Sequence, residues 1–253
     1  MYPNPDLRMP GDIDVWVDAD KEVLLEYVKH LYPNEEETFK HIKFPVFKDT
    51  PVDLHYTPLR FSHPGHNKRL QRWIAENKDG QMTHFVKLPQ IDMDIAIPTA
   101  AFNAVYQLGH ILIHIADEGI GLRQFVDYYY VLKKLGSAEP KQRDAIRDTW
   151  KRLGMMRLAR AVMWIERQVL GLPKEYALVV PDEKRGDLLL EVILEGGNFG
   201  KYSSRWSYDK YGRFVQKVVK VWHLVKVSSC FPGEAFSRMM KKVWMASKML
   251  VGG

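Results

Sequence analysis

Arg8-Met9-Pro10-Gly11-Asp12-Ile13-Asp14-Val15-Trp16-Val17 decides how this 253-residue chain is read. A glycine turn leads into a short apolar run that carries two acids, one residue apart. Successive strand side chains alternate faces, so Asp12 and Asp14 share one face while Ile13, Val15 and Val17 pack behind them. Two same-face carboxylates about 6 to 7 Å apart repel by about 2 to 3 kcal/mol at an effective dielectric near 20, and a shared proton or cation relieves them. Magnesium takes one or two carboxylates together with waters and substrate phosphates, which makes an Asp-x-Asp strand a candidate phosphoryl or nucleotidyl transfer centre. Surface strands also carry two acids on a solvated face, and spacing alone does not separate the two readings.

A third carboxylate strengthens the metal reading. Pro51-Val52-Asp53-Leu54-His55-Tyr56 is a second strand-like run, with Asp53 and His55 on one face. Ile91-Asp92-Met93-Asp94-Ile95 offers a competing acidic pair. No glycine turn introduces it and it ends at Pro98, so an exposed strand face is the better reading.

Four stretches together carry a family resemblance: Tyr2-Pro3-Asn4-Pro5 running into Arg8 and Gly11-Asp12-Ile13-Asp14; Val52-Asp53-Leu54-His55-Tyr56; Tyr106-Gln107-Leu108-Gly109-His110 with His114; and Gly119-Ile120-Gly121-Leu122-Arg123-Gln124-Phe125-Val126-Asp127-Tyr128. In that order they resemble the uncharacterised nucleotidyltransferases of the polymerase-beta-like superfamily, which pair a small catalytic sheet with a long helical segment. The resemblance implies an α+β fold and transfer of a nucleoside monophosphate from a nucleoside triphosphate, with two Mg2+ ions (Mn2+ as a substitute) and release of pyrophosphate. It implies Asp12, Asp14 and Asp53 as catalytic residues and metal ligands. The nucleotide-binding candidates are Arg8, Gly11, His55, His110, His114, Arg123 and Asp127. The acceptor, small molecule or protein, stays open.

The superfamily places a helix and a glycine turn before the Asp-x-Asp strand, where backbone amides cradle the triphosphate. Only eleven residues precede Asp12, and none forms such an element. The expectation is a chain truncated at its amino end, which leaves a catalytically silent nucleotide-binding or regulatory module as the alternative to an enzyme.

Composition sets outer bounds. A hydrophobic content of 46% suffices for a substantial core, and the single cysteine, Cys230, cannot form an internal disulfide. The first residues lack the apolar stretch of a secretory signal, and charges interrupt every apolar run well short of the roughly 18 residues that span a bilayer. The expectation is a cytoplasmic protein without a transmembrane segment. From residue 201 onward eleven Lys or Arg face two acids, a net charge of +9 that leaves −3 for the first 200 residues. Trp206, Tyr208, Tyr211, Trp222 and Trp244 interleave with them, a pattern that suits an anionic membrane surface, nucleic acid or nucleotide phosphates. The simpler reading, favoured here, is a core-facing stripe of Phe214, Val218, Val221, Trp222 and Val225 with a solvated basic back.

Periodicity divides the chain into a nucleotidyltransferase-like part, residues 1–98, and a helical part, residues 99–253. Strands are expected at 9–18, 42–47, 52–56 and 90–98, with helices at 19–31 and 67–77 and a helix or acidic loop at 34–41. Helices follow at 100–117, 120–135, 140–153, 155–170, 185–195, 209–228 and 233–250, with Gly171-Leu172-Pro173 and Phe231-Pro232-Gly233 among the joints. Helix 100–117 sets Tyr106, His110, His114 and Asp117 along one side. His-x-x-x-His can hold zinc with Asp117 as a third ligand, but the glutamate of a zinc-hydrolase helix is missing; a face lining the nucleotide cleft fits the resemblance better. Arg123 and Asp127 lie one helical turn apart, as an ion pair that locks helices or as a triphosphate contact and its orienting acid. Gly196-Gly197-Asn198-Phe199-Gly200 reads as a helix C-cap in preference to a phosphate cradle.

Overall fold

The computed structural model describes residues 2–4, 8, 11–88, 92–117, 119–196 and 221–251. The fold is α+β, with small sheets followed by helices. Packing gathers the chain into two compact units, residues 1–60 and 61–253.

The first unit runs β1 (Ile13–Trp16), α1 (Lys21–Leu31), β2 (His41–Lys43), β3 (Val52–His55). Its sheet has the order β1-β3-β2, with β3 parallel to β1 and antiparallel to β2. Asp20 stands at the N-cap of α1, and the helix closes at Leu31 ahead of Tyr32-Pro33, where proline disfavours helical backbone in the residue before it. Leu24 and Val28, one turn apart on α1, pack with Ile42, Val52 and Leu54 of β2 and β3. Burying each of these five side chains contributes about 1.5 to 3 kcal/mol. Because strand side chains alternate, this apolar face leaves Asp53, His55 and His41 on the opposite face. β1 is less covered than its sequence suggests: Ile13 and Val15 are 43% and 39% exposed, and only Val17 of the three packs against the core. Of the segment 34–41, residues 34–40 take the loop alternative and His41 opens β2; in the loop Glu37 pairs with Lys21 and Lys29 and bridges to Ile42.

The second unit opens with α2 (Pro64–Met82), longer than the expected 67–77 because Pro64 fits the first helical position without losing a hydrogen bond. A hairpin of β4 (Phe85–Lys87) and β5 (Asp94–Ala96) follows; the first of its strands has too little alternation to be read in advance. Then come α3 (Ala100–Asp117), α4 (Leu122–Lys134), α5 (Pro140–Arg152), α6 (Met156–Gln168), α7 (Glu183–Gly196), α8 (the helical residues 221–227) and α9 (Pro232–Val251). Residues 209–220 of the expected helix, with Phe214, Val218, Tyr211 and their basic neighbours, lie outside the described residues, as do Trp206, Tyr208 and 197–200 of the glycine cluster. Among the described residues, no helix is long and apolar enough to cross a membrane.

The Ala104 carbonyl on α3 accepts from the Tyr128 hydroxyl of α4 at 2.9 Å and the Trp150 indole of α5 at 3.3 Å, so two fully buried aromatic rings keep their polar atoms satisfied. Gly154 joins α5 to α6 at φ +73°, and Met155 N–H donates to the Trp150 carbonyl, closing α5 with a left-handed glycine cap. On α9 the usual arrangement is reversed. Glu234, Ala235 and Arg238 are buried while Phe236, Met240, Val243 and Trp244 are exposed. The Glu234 carboxylate accepts the backbone N–H groups of Ser62 and His63 at the start of α2 and the Arg238 guanidinium, which also pairs with Asp117 on α3. Burial pushes the Cys230 thiol up to about 11, so it is not a nucleophile at neutral pH.

Glu166 on α6 is fully buried and neither carboxyl oxygen has a hydrogen-bond partner. Burial therefore holds its pKa well above the ordinary carboxyl range. Its folded state keeps a proton that the unfolded chain releases above about pH 4.5, so its contribution to stability falls as pH rises from there, by up to about 1.4 kcal/mol per pH unit. Glu166→Leu is expected to raise the melting temperature more at pH 8 than at pH 5; thermal denaturation at both values checks this, and an equal effect refutes it. At Gly154 a Cβ would stand 2.2 Å from the His66 ring on an already left-handed backbone. Gly154→Ala is expected to destabilise the protein by about 2 kcal/mol or more in urea titration; an unchanged midpoint would refute the packing argument.

Candidate metal centre

β1 and β3 run parallel with Asp14 opposite Asp53 and Trp16 opposite His55. On the other side of β3, His41 of β2 stands opposite His55 and Lys43 opposite Asp53. The pairing therefore sets Asp14, Asp53, His55 and His41 side by side on the face that α1 leaves open, with Asp12 just ahead of β1. One carboxylate oxygen from each of Asp12, Asp14 and Asp53 lies within 4.8 Å of the others. At that distance each pair of charges repels by about 1 kcal/mol at the dielectric of water and about 3 kcal/mol at an effective dielectric of 20. Asp12 and Asp14 are exposed and Asp53 half-buried, so the triad faces solvent on one side.

Two histidines attend these acids. His55 Nε2 lies 2.7 Å from Asp14 Oδ1, and His41 Nε2 lies 3.6 Å from Asp53 Oδ2. Their rings meet edge to face with centroids 4.9 Å apart. Burial lowers the His41 pKa, opposed by the nearby Asp53 carboxylate and reinforced by the neighbouring His55. An imidazole held against a carboxylate fixes the direction in which that carboxylate points, as the outer hydrogen bonds around metal sites do. All-oxygen donors with room for water fit magnesium, so Asp12, Asp14 and Asp53 suit that ion.

His41 did not stand out in the sequence. Its strand is three residues long, too short for an alternation to show, and only the antiparallel register brings it beside His55.

Arg8 is exposed and Gly11 half-buried ahead of β1. His110, His114, Arg123 and Asp127 belong to the second unit, on α3 and α4, which pack together. His110 and His114 approach Nε2 to Nε2 at 3.3 Å, at the end of a run of ring contacts from Trp73 through Phe102 and Tyr106. Asp117, the third zinc ligand weighed for this face, is paired with Arg238 instead. Arg123 is exposed and Asp127 half-buried on α4. Of the competing acids, Asp92 pairs with Lys87 and Asp94 lies exposed on β5, so that pair forms no ligand set.

A family model described as uncharacterised nucleotidyltransferase matches residues 1–171, from ahead of β1 to the glycine after α6. No curated protein and no solved structure matches the chain. That match covers most of the chain and includes every one of the gathered acids, and the chain belongs to the family of uncharacterised nucleotidyltransferases.

Proposed function

We propose that this protein is a magnesium-dependent nucleotidyltransferase that moves a nucleoside monophosphate from a nucleoside triphosphate to an acceptor hydroxyl, phosphate or protein side chain. The observation that carries this reading is the gathering of Asp12, Asp14 and Asp53 within 4.8 Å by the parallel β1–β3 register. In this reading residues 1–98 are the nucleotidyltransferase part and 99–253 a helical part that contributes nucleotide contacts. Asp12, Asp14 and Asp53 would hold two Mg2+ ions, or Mn2+ in their place; when bound, such ions neutralise phosphate charge and favour the departure of pyrophosphate. Asp53, the least exposed of the three, receives the acceptor's proton as the new oxygen–phosphorus bond forms and the bond to pyrophosphate breaks. His55 holds Asp14 in place and borders the nucleotide. Arg8 and Arg123 bind phosphate oxygens, with Asp127 orienting Arg123. Gly11 lets the backbone approach the phosphates, and His110 and His114 contact base or acceptor.

The site of action is proposed as the cytoplasm. The basic carboxyl-terminal region is a secondary candidate for contact with an anionic membrane surface or nucleic acid. A second reading, favoured by the solvent exposure of Asp12 and Asp14, is a catalytically silent nucleotide-binding or regulatory module that keeps the fold.

Asp14→Asn keeps an oxygen that can accept from His55 but removes the charge. It is expected to lower transfer of labelled nucleotide by about a hundredfold or more while leaving the melting temperature unchanged or higher, since one repelling charge is gone. Full transfer by this variant would sink the carboxylate mechanism. Chelation by EDTA is expected to abolish transfer, and added Mg2+ to restore it. Activity that survives thorough chelation would show that the acids serve another purpose. Binding of triphosphate with no transfer to any acceptor, in either metal, would favour the silent module.

A further inference from the structure

Asp53 belongs to two groups at once. With Asp12 and Asp14 it completes the all-oxygen set. With His41 and His55 it forms a second set, in which one ring nitrogen of each histidine and a carboxylate oxygen also lie within 4.8 Å of one another. The two sets differ in surroundings as well as in donors. The side chains of His41 and His55 are 12% and 4% exposed, against 36% for Asp14.

The Nδ1 atom of each ring is buried and has no hydrogen-bond partner. A buried polar atom left without a partner costs about 1 to 3 kcal/mol, so two in adjacent rings call for an explanation. His55 engages Asp14 through Nε2 at 2.7 Å. The tautomer that donates from Nε2 to the carboxylate leaves Nδ1 as a bare lone pair. His41 Nε2 lies 3.6 Å from Asp53 Oδ2, so each ring turns a nitrogen toward the acidic face, where an imidazole in its neutral form can serve as a metal ligand.

We propose that His41, Asp53 and His55 form a further divalent-ion position, separate from those of the carboxylate triad but joined to it through Asp53, that takes manganese, cobalt or zinc in preference to magnesium. Imidazole nitrogen is a borderline donor that suits these ions, whereas Mg2+ keeps to oxygen ligands and gives up water reluctantly. Two nitrogens, one carboxylate and a protected location give this position the selectivity that the exposed triad lacks. The purpose of this additional ion, to serve the same nucleotidyl transfer, rests on the function proposed above; its existence does not.

The test is titration of Co2+ into the full chain in millimolar Mg2+, which fills the all-oxygen triad. Visible absorption should report one equivalent of Co2+ in mixed nitrogen and oxygen coordination, retained against Mg2+ and displaced by Zn2+. His41→Ala should weaken Co2+ binding about tenfold or more, whereas Asp12→Asn, which leaves both rings and Asp53 in place, should weaken it much less. Because His41→Ala removes a partly buried ring, Zn2+ is also titrated into the unaltered protein with observation of the histidine ring 15N resonances. Large shifts confined to His41 and His55 support the site. Absence of the Co2+ absorption, its loss to Mg2+, or unshifted His41 and His55 rings overturns it. Calorimetry of triphosphate with Mg2+ is run in parallel. A cobalt site without triphosphate binding would fail the nucleotidyltransferase reading alone; triphosphate binding without a cobalt site would fail this inference alone.

Discussion

The parallel register between β1 and β3 is the constraint on which the rest of the first unit depends. Setting Asp14 against Asp53 puts three negative charges close together, an arrangement that folding tolerates only where something offsets the repulsion. Here the offset is local and incomplete: solvent on the side of Asp12 and Asp14, an imidazole against Asp14, another near Asp53. The opposite face supplies the driving force, through the five buried apolar residues shared by α1, β2 and β3. A slip of one residue in β3 would bring Val52 and Leu54 to the acidic face and Asp53 into the apolar core, so the same alternation that builds the core fixes the site.

The second unit solves a different problem, that of satisfying polar atoms inside packed helices. Tyr128 and Trp150 share one carbonyl, the Glu234 carboxylate takes up N–H groups at the start of α2, and Arg238 links that acid to Asp117. Glu166 is one exception among the described residues, a carboxyl enclosed without a partner for either oxygen and kept protonated by its surroundings. Its neighbour Tyr128 feels the same enclosure, which raises the phenol well above its ordinary range.

Much of this was legible in the sequence, for reasons that particular residues make plain. Asp12, Asp14 and Asp53 stood out because two-residue periodicity assigns faces without knowledge of the partner strand. Helix α3 was readable to the residue because Ala100–Asp117 combines a sustained apolar stripe with proline before it. His41 was not legible, since its role arises from register with β3 and not from its own neighbours. Nor was β4, whose three residues carry too short an alternation, or the partner of Asp117, which lies 121 positions away on α9. Local periodicity encodes faces and lengths; the pairing of distant segments supplies the rest.

Helix α9 carries this lesson into the way the protein can change. A helix that buries Glu234 and Arg238 and exposes Phe236, Met240, Val243 and Trp244 reverses the ordinary map of mutational tolerance. Sequence drift at Phe236, Met240 and Val243 on its outer face costs the fold little, and polar replacements there improve solubility. On its inner face even a swap of arginine for lysine loses the planar fork that meets two acids at once. An evolutionary record of its first turns would therefore show Glu234 and Arg238 fixed while Phe236, Met240 and Val243 drift, a signature that a hydropathy profile reads backwards.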